Sequence, residues 1–225
     1  MCGRFTLRTP ASVWAEQFSL FDVPDWPLSE PRYNIAPTQN VVAVRARPNS
    51  DQRELVTLRW GLIPSWARDI SIGNRMINAR TETVTTKPSY RSAFRRRRCL
   101  IVADGFYEWQ KAGSRKQPYY FTVDRCAPFG FAGLWEHWKQ GEQTIESCTL
   151  ITTDANDTVR PVHDRMPVIV DPKDYDIWLD PAVEDTKLLE PVLRPFESEP
   201  MEAYPVDAWM NAPAHEGPRC LEPVS

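Results

Sequence analysis

After Met1 the chain reads Cys2-Gly3-Arg4-Phe5. A second residue as small as cysteine permits removal of the initiator methionine, and the new terminus would then carry an α-amine and a thiol on adjacent carbons. Such a 1,2-aminothiol traps aldehydes. Near pH 7.4 an α-amine of ordinary pKa is roughly a fifth to a third neutral, whereas a lysine is only about 0.1% neutral, and only the neutral amine attacks a carbonyl. Once an imine has formed, the neighbouring thiol can close a five-membered thiazolidine with the high effective concentration of an intramolecular nucleophile. The other reading of Cys2 is a small buried residue at the start of a strand.

Further segments stand out: Pro31-Arg32-Tyr33-Asn34-Ile35-Ala36-Pro37-Thr38, Arg59-Trp60-Gly61-Leu62-Ile63-Pro64-Ser65-Trp66, Ile77-Asn78-Ala79-Arg80-Thr81-Glu82, Ala103-Asp104-Gly105-Phe106-Tyr107-Glu108-Trp109 and Val162-His163-Asp164-Arg165-Met166-Pro167. Together with Cys2-Gly3-Arg4-Phe5, and in this order, they resemble the SRAP family, the SOS-response-associated peptidase-like proteins that sense abasic sites. The resemblance runs from residue 2 to Leu221-Glu222-Pro223-Val224; departures such as Asp207, where the family usually has a small polar residue, lie on the flanks. It implies covalent capture of abasic sites in single-stranded DNA through the N-terminal cysteine. The catalytic residues it marks are Cys2, Asn78, Glu108 and His163, with Arg4, Pro37, Thr38, Trp66, Arg80, Trp109 and Arg165 on the DNA.

The residue chemistry is compatible with that expectation. An abasic site exposes an open-chain aldehyde flanked by phosphates, so its receptor needs a nucleophile, acid/base groups and phosphate donors in one cleft. Glu108 lies among aromatic residues at the end of a predicted strand, where desolvation would raise its pKa toward proton transfer; a surface carboxylate paired with one of Arg95 to Arg98 is the alternative. His163 can protonate the sugar oxygen or shuttle protons at the imine, or it is a core histidine bonded to Asp164. Asn78 can orient the amine or the aldehyde oxygen, or occupy a turn. Guanidinium groups at Arg4, Arg80 and Arg165 suit phosphate. Trp66 and Trp109 can stack on bases or fill core, and Pro37 with Thr38 would form a rigid wedge. The run Arg95-Arg96-Arg97-Arg98 is either an extension of the phosphate track or a solvated helix end, and stays outside the site.

The elements that must position these residues are short. Among 225 residues there are 21 prolines and only 9 glycines, a pattern of many strands and turns. Strands are expected at Asn40–Arg47, Glu54–Trp60, Cys99–Trp109, Pro118–Val123, Phe129–Trp135, Ser147–Thr153 and Met166–Val170. Helices are expected within Leu7–Phe18 after Pro10, at Tyr90–Arg95, at Pro172–Leu179 with Asp171 as N-cap, and at Thr186–Leu193. No repeat or linker divides the chain, so residues 1–225 read as one α+β domain with a strand-rich, mixed or antiparallel core.

A hydrophobic share of 42% and a charged share of 25% fit a soluble globular protein. No apolar run approaches a membrane span and no signal segment opens the chain, so a cytosolic or nucleoid location is expected. The five cysteines, Cys2, Cys99, Cys126, Cys148 and Cys220, lack C-x-x-C spacing, and neither a disulfide framework nor a metal or organic cofactor is implied. The expected partner is single-stranded DNA carrying abasic sites, met by a monomer. Two other functions use the same residues: a self-processing cysteine peptidase that releases its own N-terminus, and a noncovalent module for single-stranded or modified DNA that would not need Cys2.

Overall fold

The computed structural model describes residues 2–20, 30–48, 50, 52–113 and 115–224. Met1, whose removal the aminothiol chemistry requires, lies outside them. Among the described residues thirteen strands form two sheets. In chain order they are β1 (Arg4–Leu7), β2 (Arg32–Ile35), β3 (Asn40–Ala46), β4 (Arg53–Trp60), β5 (Asn78–Arg80), β6 (Arg98–Ala103), β7 (Gly105–Ala112), β8 (Arg115–Val123), β9 (Phe129–Gln140), β10 (Gln143–Asp154), β11 (Arg165–Pro167), β12 (Ile169–Val170) and β13 (Met201–Pro205). Five short α-helices accompany them: α1 (Ala11–Trp14), α2 (Thr81–Val84), α3 (Arg91–Arg96), α4 (Tyr175–Leu179) and α5 (Thr186–Leu189).

One sheet is antiparallel, in the order β13-β8-β7-β1-β2. In the other, β4-β3-β6-β9-β10 closes on itself, because β10 pairs antiparallel with β9 and parallel with β4. Closure into a five-stranded barrel removes the exposed edges that short strands would otherwise present. β5 and β11 extend β10, and β12 extends β9. The α+β architecture with a mixed, strand-rich core is therefore the one expected.

Barrel and open sheet share a core. Phe5 and Phe106 point from the sheet to Trp60 and Phe131 of the barrel, with Phe5 at 5.2 Å from Trp60 and Phe106 at 6.0 Å from Phe131 between ring centroids. Side chains alternate along a strand, so Tyr107 emerges on the sheet's other face. There it joins Tyr120, Val206, Met210 and Cys220 in a second small core beneath the C-terminal segment. That segment forms a cover: it follows β13, is capped by Asp207, whose carboxylate accepts from the Trp209 N–H at 2.6 Å, and runs through two 3-10 turns.

The expected strand Cys99–Trp109 is two strands belonging to different sheets, β6 and β7, broken at Asp104. The Asp104 carboxylate accepts from Thr6 Oγ1 (2.5 Å), Arg8 N (2.7 Å), Thr9 N and Thr9 Oγ1 (both 2.8 Å), which pulls the chain out of the barrel and onto β1. Gly105 follows because a Cβ there would sit 2.1 Å from the Tyr120 hydroxyl. The expected strand Met166–Val170 is likewise split at Val168, whose N–H donates to Ile151. The helix after Pro10 is shorter than expected; Trp14 and Phe18 are buried while Val13 is exposed. Asp171 caps a 3-10 turn that leads into α4.

Candidate active site

Cys2 is fully buried two positions before β1, and its Sγ–H points to the Arg4 carbonyl at 3.7 Å. Burial pushes the thiol well above the ordinary cysteine range, and the nearby Glu108 carboxylate pushes it further. The neighbourhood follows from register. Arg4 lies opposite Tyr107 in the antiparallel pairing of β1 with β7, so one further step along both strands brings Gly3 beside Glu108.

Asn78 opens β5, which is held parallel to barrel strand β10. Its Nδ2 donates to the Cys2 carbonyl at 2.8 Å, and its own carbonyl accepts from the Tyr90 hydroxyl at 3.4 Å. Its side-chain Oδ1 is buried without a hydrogen-bond partner among the described residues. A buried acceptor left unmade is costly, and such groups tend to mark sites where something else binds.

Glu108 is only 1% exposed, on the barrel-facing side of β7 with Phe106. Burial is the main reason its carboxyl is pushed up to about 7, and the charge of Asp164 acts in the same direction. At neutrality both protonation states are populated, as a group that gives and takes protons requires. Glu108 does not pair with the arginine run: Arg97 bonds Glu136 at 2.8 Å and Arg96 bonds Glu184 at 2.9 Å. Buried Arg98 donates to the carbonyls of Phe94, Arg95, Trp178 and Asp180, which closes the end of α3.

His163 lies between β10 and β11. Its Nδ1 is 3.0 Å from the Arg165 N–H and 2.9 Å from Asp164 Oδ1. One nitrogen cannot serve both partners, since Arg165 needs a lone pair there and Asp164 needs a proton. Burial lowers the His163 pKa, which favours the neutral ring. The bond from Arg165 is the contact of a ring with a lone pair on Nδ1, and Asp164 becomes the partner when Nδ1 is protonated.

The residues expected on DNA separate into two groups. Arg80 is exposed at the end of β5, two residues beyond Asn78, and Trp66 is 59% exposed. Thr38 is exposed at the tip between β2 and β3, with Pro37 half-buried before it. The tip is braced by a Thr38 N–H bond to the Trp60 carbonyl at 2.8 Å, and Thr38 adopts φ 74°, a conformation β-branched residues seldom enter. Half-buried Trp109 donates through Nε1 to Asn211 Oδ1 at 2.7 Å.

Arg4 and Arg165, by contrast, spend their donors inside the protein. Arg4 bonds Asn34 Oδ1 (2.7 Å), the Met210 carbonyl (3.2 Å) and the Asn211 carbonyl (3.0 Å). Buried Arg165 engages Glu82 through both Nη atoms, Asp154 at 2.8 Å and the Thr152 carbonyl at 2.6 Å. Of the three arginines, only Arg80 presents its guanidinium outward.

Three contributors have no role assigned to them by the sequence reading, although Asn34 and Asp104 lie within the quoted segments. Asp104 turns the chain between the sheets. Fully buried Asn34 accepts from Arg4 and donates to the carbonyls of Met210, Ala212 and His215, at 2.9, 3.1 and 2.8 Å. Asn211 holds Trp109. The Asp104-Gly105 dipeptide, a turn signal inside an apolar run, was the one local clue.

The sequence pattern of the SOS response associated peptidase (SRAP) family matches residues 1–213. The abasic site processing protein YoqW of Bacillus subtilis (strain 168) is 41% identical over 224 residues, covering 99% of each chain. The abasic site processing protein HMCES of Gallus gallus is 31% identical over 265 residues, covering 100% of this chain and 78% of its own length. An X-ray structure of a protein from Bacteroides thetaiotaomicron superimposes with a TM-score of 0.87 at 26% identity, with both chains covered in full.

Proposed function

Because this chain belongs to the SRAP family, we propose that it captures abasic sites in single-stranded DNA as a covalent adduct of Cys2, after Met1 has been removed. The observation that carries the proposal is the clamp on Cys2: Asn78 holds its carbonyl at 2.8 Å while Glu108, its carboxyl pushed up to about 7 by burial, lies beside it. The relatives named above are called abasic site processing proteins, which supports the same substrate.

The neutral α-amine of Cys2 adds to the aldehyde carbon of the opened sugar, and the carbinolamine loses water to give an imine. The thiol then adds across the C=N bond: a C–S bond forms, the S–H proton leaves and the nitrogen gains one. The net reaction is thiazolidine formation with loss of one water and no change of oxidation state. Burial disfavours a free thiolate at Cys2, so the proton must leave as sulfur attacks, and the Glu108 carboxylate is the adjacent acceptor. The same carboxyl, protonated, can donate to the departing hydroxyl of the carbinolamine. The neutral imidazole of His163 can donate a hydrogen bond through its N–H to the sugar ring oxygen as the ring opens, and the proton that this oxygen gains comes from water. An imine that persisted would also permit β-elimination and strand cleavage; ring closure consumes it, so lyase activity is the side reaction.

The test is incubation with abasic single-stranded DNA followed by denaturing electrophoresis without reductant. A shifted band from the wild type that is absent with Cys2→Ala supports the proposal. No shifted band from wild-type protein whose mass shows Met1 removed overturns it and leaves a noncovalent DNA module.

A further inference from the structure

The C-terminal cover reaches the site at one residue. Its backbone is fixed first: buried Met210 anchors it in the second small core, and the carbonyls of Met210, Asn211, Ala212 and His215 all accept from Arg4 or Asn34. Asn34 is fully buried, so its share of these bonds is largely shielded from competing water, whereas the Arg4 bond to the Asn211 carbonyl is exposed. From that fixed backbone the Asn211 side chain extends outward and takes the indole N–H of Trp109 at 2.7 Å. Trp109 follows Glu108 in β7, and Arg4 lies two residues from Cys2. Asn211 thereby joins the two strands that carry the aminothiol and the carboxyl, through side chain to one and through backbone to the other.

We propose that Asn211 is a positioning residue that sets the plane of the Trp109 indole for stacking against a base of the bound strand. This rests on the single-stranded DNA reading above. A tryptophan ring attached through two rotatable bonds turns about them unless its edge is held, and a ring that stacks on bases gains from being held in advance. Asn211 supplies an acceptor at the indole edge, and Trp109 is half-exposed while packed against the second small core. Its position is determined by the cover, which contributes no atom to the reaction itself.

The experiment is a double-mutant cycle on affinity for single-stranded DNA carrying an unreactive abasic analogue, using the full chain with Asn211→Leu, Trp109→Phe and the pair. Asn211→Leu is expected to weaken binding about three- to tenfold, the scale of one hydrogen bond. In the Trp109→Phe background, which has no indole N–H, the same change should cost nothing. The indole N–H resonance that disappears in Trp109→Phe should move in Asn211→Leu, with the melting temperature unchanged. Equal losses in both backgrounds, or no loss from Asn211→Leu while Trp109→Phe binds weakly, overturn the inference and leave the base-stacking reading intact. Wild-type affinity in Trp109→Ala, which has no ring, overturns the stacking reading itself and the positioning role with it.

Discussion

Asn78 donates its side-chain amide to the Cys2 carbonyl at 2.8 Å, a bond from the barrel extension β5 to a residue two positions before sheet strand β1. It crosses the seam between the two sheets where Glu108 and His163 also lie. The peptide of Cys2 therefore cannot swing, and its amine and thiol keep one orientation toward an incoming aldehyde. Removing the donor should release them. Asn78→Ala is expected to slow single-turnover crosslinking by about tenfold or more, as small misplacements of reacting groups do, with nearly unchanged affinity for an unreactive abasic analogue. Asn78→Asp, which replaces the donor by an acceptor facing the same carbonyl, should be no faster. A wild-type rate in both variants would show that the clamp does not serve the chemistry.

Cys2→Ala keeps an N-terminal amine after Met1 is removed but lacks sulfur. The stable adduct should vanish, while a transient imine, trapped by borohydride, and some strand cleavage remain. Cys2→Ser should behave similarly because an oxazolidine is less durable. A Cys2→Ala adduct that survives denaturation without borohydride would remove sulfur from the mechanism.

Glu108 carries a pH signature in stability as well as rate. Its folded pKa, raised to about 7 by burial, lies above the unfolded carboxyl value. The folded state therefore holds the proton more tightly, and the associated stability is complete below about pH 4 and lost as pH rises through about 7, up to about 3 kcal/mol in all. Glu108→Gln cannot ionise. Relative to wild type it should gain stability between about pH 5 and about pH 8, read from denaturant midpoints, and it should slow crosslinking with little loss of affinity. Parallel pH profiles for the two proteins would mean that Glu108 does not titrate in this range.

Much of this arrangement was legible because its elements are local. β3, β4, β8, β9 and β10 follow from β-branched and aromatic runs, and the helical stretch that ends in α4 follows from Asp171 and Pro172 at its start. What the pattern concealed was long-range. β6 and β7 form one apolar run, and only Asp104, bonded to Thr6, Arg8 and Thr9 nearly a hundred residues away, divides it between two sheets. The roles of Arg4 and Arg165 were hidden for the same reason: an arginine that will meet buried carbonyls or distant carboxylates is spelled like one that will meet phosphate. The C-terminal cover has hardly any regular structure, and its contact with Trp109 leaves no periodic trace. Cys2, Asn78, Glu108 and His163 were grouped by family resemblance, since no local pattern links positions so far apart.

His163 should act through its neutral form. Its pKa is lowered by burial, so protonation, with Nδ1 turning from Arg165 to Asp164, occurs below the ordinary imidazole range. Wild-type rates of adduct formation and release should change on that acidic limb. His163→Gln should flatten it and slow at least one of the two directions. Time courses between about pH 5 and about pH 9 decide this, and an unaltered acidic limb in His163→Gln would assign it to another group.

Arg80 and Arg165 should fail in different ways, although both were expected on phosphate. Arg80 is exposed beside Asn78, so Arg80→Ala should lower affinity for single-stranded DNA and reduce the slope of log K against log salt by about 0.7, the value of one phosphate contact on a single strand. Its melting temperature should not change. Arg165 is buried and bonded to Glu82, Asp154 and the Thr152 carbonyl. Both carboxylates stay largely solvated after its loss, which limits the cost; Arg165→Ala should lose about 1–3 kcal/mol of stability. Its salt slope should stay at the wild-type value. Loosening β11 also disturbs the N–H that holds His163 Nδ1, so the acidic limb of the pH profile should shift in Arg165→Ala and stay in place in Arg80→Ala. A reduced salt slope with normal stability in Arg165→Ala would instead mean that DNA draws this guanidinium away from Glu82 and Asp154.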